Sequence, residues 1–298
     1  MVMQGLSIMG KIGGYLRLMR PVNCLMMGFA VIVGAALAGP SSLNIDWHFL
    51  VYGFITGFTL TAASMAINDY YDREIDAVNE PSRPIPSGTV KPKEALAFAS
   101  LLTLVGFTSA YLTNYFCLLT ALIAWTIFVA YTTIGKRSGL PGNFLVSACV
   151  TIPFIYGSLV IANGSLTIMS NVMPNVLIFV AIVFLSNTGR EITKGIVDIE
   201  GDKTKGVKTL AVRYGARKAS VVASLFYFSA VALSPLPILL RKVSLWFIPP
   251  VAITDFGLLA SSTMLLRDYS RKNARKIKNM VLLWFIFGLL AFLVGVLW

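Results

Sequence analysis

The sequence predicts an all-α polytopic membrane protein: nine transmembrane helices around a central cavity open to the cytoplasmic side, with the N-terminus inside. Three observations predict this. The chain of 298 residues is 56% hydrophobic and only 13% charged, where soluble domains carry about 25% charged residues. Its apolar residues gather into nine runs, most of them close to the roughly 20 residues that cross a hydrocarbon core. Threaded through a membrane in turn, those runs leave 23 of the 25 Lys and Arg on one side.

The runs cover 21–38, 47–67, 94–113, 115–134, 143–163, 172–193, 218–240, 245–266 and 279–297, read as one domain over 1–298. The stretch before them, "MGKIGGYLRLMR", is weakly amphipathic. No small-residue cleavage pattern follows a short apolar core, so the first run is expected to remain as a helix. The N-terminal stretch and the connections after the second, fourth, sixth and eighth runs hold 3, 4, 2, 8 and 6 Lys or Arg, while the opposite side holds only Arg241 and Lys242. That asymmetry puts the N-terminus and the basic connections in the cytoplasm. Part of the net charge of +12 then serves anionic lipid heads, above all in "RDYSRKNARKIK". Nothing points to a nucleic acid or an obligate protein partner. Cys24, Cys117 and Cys149 lie in apolar runs without CxxC spacing and read as small core residues. His48 stands alone, whereas a metal site needs several ligands.

Two acidic motifs carry the chemistry. "NDYYDREID" follows the second run and "KGIVDIEGDKTKG" the sixth. Asn68, Asp72 and Asp76 step by four, as do Lys194, Asp198 and Asp202, with a constant offset of 126. On a helix such a step drifts by only about 40°, so each triplet lines one stripe. Asp69 and Glu74 fall off the stripe and read as solvated acids. Downstream, "KPKEALAFASLL" aligns with "GARKASVVASLF" at an offset of 124, which suggests a duplicated unit of helices 2–4 and 6–8. The two stripes would then face each other across one cavity. Acids at bilayer depth cost about 2.5–3.5 kcal/mol each on insertion scales, and crowded carboxylates need a cation. Mg²⁺ suits them, because it takes a few carboxylates and completes its shell with substrate phosphates. The expected ligands are Asn68, Asp72, Asp76, Asp198 and Asp202.

At these residues the chain resembles the UbiA-type intramembrane prenyltransferases. "RPIPSG" at 83–88 and "KTLAVRYG" at 208–215 resemble that family too. "RPVNCLMMGFAV", "NDYYDREIDAVNEPSRPIPSG" and "GREITKGIVDIEGD" are most similar to its archaeal digeranylgeranylglyceryl phosphate synthase branch. The resemblance implies Mg²⁺-dependent transfer of a geranylgeranyl group from its diphosphate to the sn-2 hydroxyl of geranylgeranylglyceryl phosphate, in ether-lipid synthesis. It implies catalytic roles for Asp72, Asp76, Asp198, Asp202 and Lys194. Asn68, Lys136, Arg137 and Tyr131 would face the donor, with Arg20 and Arg83 as candidates for the acceptor's phosphate. Tyr70, Tyr71, Tyr131 and Tyr156 are the aromatic faces available to an allylic cation. One departure stands out: aromatic-acceptor members carry Tyr-x-x-x-Lys here, and Tyr131 and Lys136 are one residue further apart.

Other readings stay open at this point. An aromatic or quinone-precursor acceptor would use the same donor machinery. CDP-alcohol phosphotransferases need an Asp-Gly-x-x-Ala-Arg opening that "NDYYDR" does not offer. An ion-coupled transporter would place its charges near the midplane on broken helices, not at helix ends. Asp255, deep in an apolar run, is either functional or paired between helices.

Overall fold

Helices account for the regular structure of the computed structural model, which describes residues 8–38, 47–133, 135–163, 165–204 and 206–297. In order they are α1 (Ile8–Met19), α2 (Pro21–Leu37), α3 (Trp47–Asn79), α4 (Pro92–Thr113), α5 (Tyr115–Thr133), α6 (Leu140–Ala162), α7 (Leu166–Val197), α8 (Ile199–Thr204), α9 (Leu210–Tyr214), α10 (Ala216–Leu233), α11 (Leu236–Leu239), α12 (Ile248–Arg267) and α13 (Arg271–Leu297). Eight of the described helices are long and apolar enough to cross a membrane, and up to nine spans result when α1 and α2, bent by 48°, are taken as one. The predicted runs fall on helical structure, with 218–240 divided between α10 and α11. Pro21 causes the bend, since a proline tolerates the first turn of a new helix but not the interior of an old one. Arg20, at the joint, takes the left-handed conformation with φ 53°.

Three helices run further than the apolar runs that predicted them. α3 continues twelve residues past 67 to Asn79, α7 reaches Val197, and α13 begins at Arg271 rather than 279. At 1.5 Å per residue α3 is about 50 Å long, well beyond a hydrocarbon core of ~30 Å. Its last turns therefore carry polar groups where a hydropathy reading stops.

The helices meet around four clusters of buried side chains. One joins α2, α6, α7 and α13 through Phe154, Phe179 and Phe292, with Phe247 beside them. Another packs Tyr227, Leu265, Ile277 and Val281 between α10, α12 and α13. α2 and α6 touch backbone to backbone: a Cβ on Gly34 would run into the Phe154 carbonyl, and one on Gly157 into the Val31 carbonyl. Small residues at such crossings allow the close approach that membrane helices use for cohesion.

Two residues of the basic cluster at 267–278 have partners within the protein. Arg271 donates to the carbonyls of Val197 (3.0 Å) and Asn79 (3.2 Å). Arg275 pairs with Glu80 at 2.8 Å and also reaches the Asn79 carbonyl. These cations satisfy carbonyls at the C-terminal ends of α3 and α7, where the helix dipole favours positive charge.

Candidate active site

On α3 the stripe is continuous helix, so Asn68, Asp72 and Asp76 stand on one face and all line the same cleft. On the other side of that cleft the second motif is not one helix. α7 ends at Val197, Asp198 takes the turn and α8 carries Asp202. Hydrogen bonds at the four-residue interval survive the break: Asp198 N–H donates to the Lys194 carbonyl (3.1 Å) and Asp202 N–H to the Asp198 carbonyl (2.9 Å). The expected facing of the stripes therefore holds, although the second is bent at its middle member.

Asn79 ties the two halves together. Its Nδ2 donates to the Asp198 carbonyl at 3.3 Å, and its Oδ1 accepts from Gly201 N–H at 3.1 Å. Gly201 is required by this contact, because a Cβ there would meet the Asn79 side chain.

The cleft is lined by Asn68, Asp72, Asp76, Lys194, Asp198 and Asp202, together with Arg20, Arg83 and Tyr131. Crowded carboxylates need counter-charge, and the arginines supply it. Arg20 Nη2 donates to Asp69 at 2.6 Å. Arg83 Nη1 donates to Asp76 at 2.5 Å and to Asp69 at 3.4 Å. Burial works against the charge on Arg83, and Asp76 and Asp69 more than offset it, so the guanidinium titrates above its ordinary value. Asp69 is thus no solvated acid: it is 2% exposed and holds two arginines. Its pairing also secures Arg20 in a backbone conformation that costs about 1 kcal/mol or more.

A second, larger chamber adjoins the cleft, with a cavity volume of about 200 Å³. Arg20, Asn68, Arg83, Tyr131, Glu191 and Lys194 line both cavities, while Arg190 and Lys278 line only the chamber. Glu191, buried on α7, accepts from Lys194 (3.4 Å) and Arg190 (3.3 Å). Glu191 and Arg190 were missed as site residues, yet a usable signal was present: both sit inside the run 172–193, and ionisable groups within a span are functional by default. Lys278 and Asn79 were missed because each gains its meaning only from a distant helix.

Other expectations divide. Tyr131 reaches both cavities, and Tyr156 bonds instead to Thr56 and Thr113 at 3.3 and 3.4 Å. Tyr71 is exposed, and Tyr70 lies under the Arg73 guanidinium. Asp255 accepts from Ser234 Oγ at 2.6 Å, an interhelical pairing. The side chains of Lys136 and Arg137 lie outside the described residues.

The donor set of the cleft is one of oxygens, as a hard divalent cation prefers. Asn68 Oδ1 is buried there without a hydrogen-bond partner, an unfilled acceptor that costs free energy unless a cation or its water meets it. Among the described residues no group of three or more His, Cys, Asp or Glu converges on one point. These residues therefore fit a cation held by one or two carboxylates and completed by phosphate and water, and do not fit a closed protein cage.

Comparison with known proteins agrees with this geometry. The model of the UbiA prenyltransferase family matches residues 27–297. The digeranylgeranylglyceryl phosphate synthase of Methanosarcina mazei is 38% identical over 95% of this chain and 98% of its own. A solved structure described as a digeranylgeranylglyceryl phosphate synthase in membranes is 33% identical, with a TM-score of 0.70 over 96% of this chain and 99% of that one. The fold also matches a UbiA homologue from Archaeoglobus fulgidus bound to GPP and Mg²⁺, 18% identical, with a TM-score of 0.63 over 94% and 99% of the two chains. With its acidic stripes, helix order and nearly full-length match, the chain belongs to the UbiA prenyltransferase family.

Proposed function

We propose that this protein transfers a geranylgeranyl group from geranylgeranyl diphosphate to the sn-2 hydroxyl of geranylgeranylglyceryl phosphate. The observation that carries the reading is the pairing of cavities: an acid-lined cleft opens onto a cation-lined chamber. One suits a metal-bound diphosphate and the other an anionic acceptor. The relatives' names support the same substrates.

Asn68, Asp72 and Asp76 on one wall, and Asp198 and Asp202 on the other, would hold Mg²⁺ and its waters. When bound, Mg²⁺ neutralises the charge that develops on the departing diphosphate. Lys194 lies between the cleft and the chamber and would pair with phosphate oxygens as the bond to the prenyl carbon breaks. Arg20 and Arg83, held by Asp69 and Asp76, bring positive charge to the boundary where both substrates meet, and Lys136 and Arg137 are proposed to close the donor side. Tyr131, which lines both cavities, would offer a ring face to the allylic cation, and apolar walls would keep water from it. The hydroxyl oxygen of the acceptor forms the new C–O bond, and its proton passes to diphosphate or to Asp76.

The asymmetry of Lys and Arg supports nine spans with the N-terminus and both acidic motifs on the cytoplasmic side, around one central cavity. The four-residue stripes on α3 and at the end of α7 support an internal duplication within one domain. Membranes given labelled geranylgeranyl diphosphate with competing acceptors test the function. Label in digeranylgeranylglyceryl phosphate is expected. Label on an aromatic acid, with none on geranylgeranylglyceryl phosphate, would refute it.

A further inference from the structure

The lining of the larger chamber holds more cations than carboxylates. Five cations line it: Arg20, Arg83, Arg190, Lys194 and Lys278. Arg20 and Arg83 are paired with Asp69 and Asp76. Arg190 and Lys194 share the single carboxylate of Glu191. Lys278, on α13, makes no hydrogen bond or ion pair among the described residues and feels Asp198 and Glu80 only at longer range, and Arg190 Nε is buried without a partner. Direct contacts thus leave the Lys278 ammonium and the Arg190 Nε–H unmet. A donor that no protein group meets is costly to leave so, which marks a place where a ligand is expected to bring an acceptor. A phosphate monoester carries about −1.5 to −2 at neutral pH and several acceptor oxygens, which suits both groups. Lys278, Leu282 and Phe285 step along one face of α13 into the chamber, and Phe285, Leu289 and Phe292 continue on that face along an apolar cavity. An anion seated at Lys278 therefore has an apolar surface beside it along which its chain would lie.

We propose that Lys278 and Arg190 together form the recognition site for the phosphate of the acceptor lipid, so that they select phosphorylated over unphosphorylated prenylglycerol. The proposal rests on the lipid-phosphate acceptor of the proposed function. Lys278 reaches from α13 and Arg190 from α7, and each donates charge-assisted hydrogen bonds to phosphate oxygens. Arg20 and Arg83, the candidates expected from the sequence, already serve Asp69 and Asp76 and are left to the boundary between the cavities.

The test uses the purified full-length protein, wild type, Lys278→Met, Lys278→Arg and Arg190→Met. Steady-state KM is measured for donor and acceptor separately. Direct binding of geranylgeranylglyceryl phosphate, geranylgeranylglycerol and inorganic phosphate is measured without donor. For Lys278→Met and Arg190→Met the acceptor KM and its binding constant are expected to weaken about 10- to 100-fold, the range for losing a charge-assisted bond. Donor KM should hold within about twofold. The preference for the phosphorylated lipid should collapse in parallel and return in Lys278→Arg. Wild type should bind the phosphorylated lipid far more tightly than inorganic phosphate, which separates a lipid site from a plain anion site. An unchanged acceptor constant in Lys278→Met, or a raised donor KM instead, would overturn the assignment while leaving the acceptor reading intact. A wild type that neither binds nor uses geranylgeranylglyceryl phosphate would overturn both.

Discussion

Replacing Asn79 with alanine removes a side chain that directly joins the end of α3 to the α7–α8 turn. Asn79 is 5% exposed, and it bonds the Asp198 carbonyl at 3.3 Å and Gly201 N–H at 3.1 Å. Each such bond contributes about 0.5–1.5 kcal/mol, and a buried group stripped of its partner costs about 1–3 kcal/mol. Two bonds lost together weaken the link between the acidic motifs by about 2–4 kcal/mol. Asp198 and Asp202 then sample positions away from the cleft, and donor affinity falls by the fraction of time they are misplaced. The expected outcome of Asn79→Ala is a donor KM raised about 10- to 100-fold, with a higher Mg²⁺ requirement and a lower thermal midpoint in detergent. Gly201→Ala attacks the same joint from the other side, since its Cβ meets the Asn79 side chain. The double variant should cost less than the two singles added, because both break one contact. Unchanged donor KM in both singles would refute the reasoning, as would strictly additive losses.

Asp69→Asn leaves Arg20 and Arg83 short of negative charge; breaking a buried pair costs about 3–5 kcal/mol, reduced here to about 2–3 kcal/mol because both arginines are roughly a quarter exposed, and thermal unfolding in detergent reads the drop. Gly157→Leu forces α6 away from the Val31 carbonyl of α2 and should destabilise by about 1–3 kcal/mol or more, visible as a lower melting midpoint and an aggregated fraction on size exclusion. Chelating divalent cations should stop prenyl transfer and restored Mg²⁺ should recover it, with Ca²⁺ recovering less because it favours longer bonds and more ligands; transfer that persists in chelator would contradict a metal-held diphosphate.

Much of this molecule is legible in its sequence, and the exceptions share a cause. The helices are visible because each span must satisfy its own backbone in lipid. The α3 stripe is visible because a step of four survives unchanged in a continuous helix. The extensions of α3, α7 and α13 are hidden because hydropathy stops where inward-facing charge begins. Asp69 is misread for a related reason: one position off the stripe it looks solvated, and only the approach of Arg20 and Arg83 buries it. The break at Asp198 leaves no composition signal, since hydrogen bonds at the same interval continue across it. Arg271 and Arg275 look like lipid-facing cations until the C-terminal carbonyls of α3 and α7 are placed beside them.

The most direct test of the central claim is a single assay of two substitutions, Asp72→Asn on α3 and Asp198→Asn at the end of α7, in membranes supplied with labelled geranylgeranyl diphosphate, geranylgeranylglyceryl phosphate and Mg²⁺. If both motifs close on one diphosphate, each variant keeps the wild-type amount of folded protein and each loses Mg²⁺-dependent transfer. Transfer retained in either variant at the wild-type rate would contradict a site shared by both motifs.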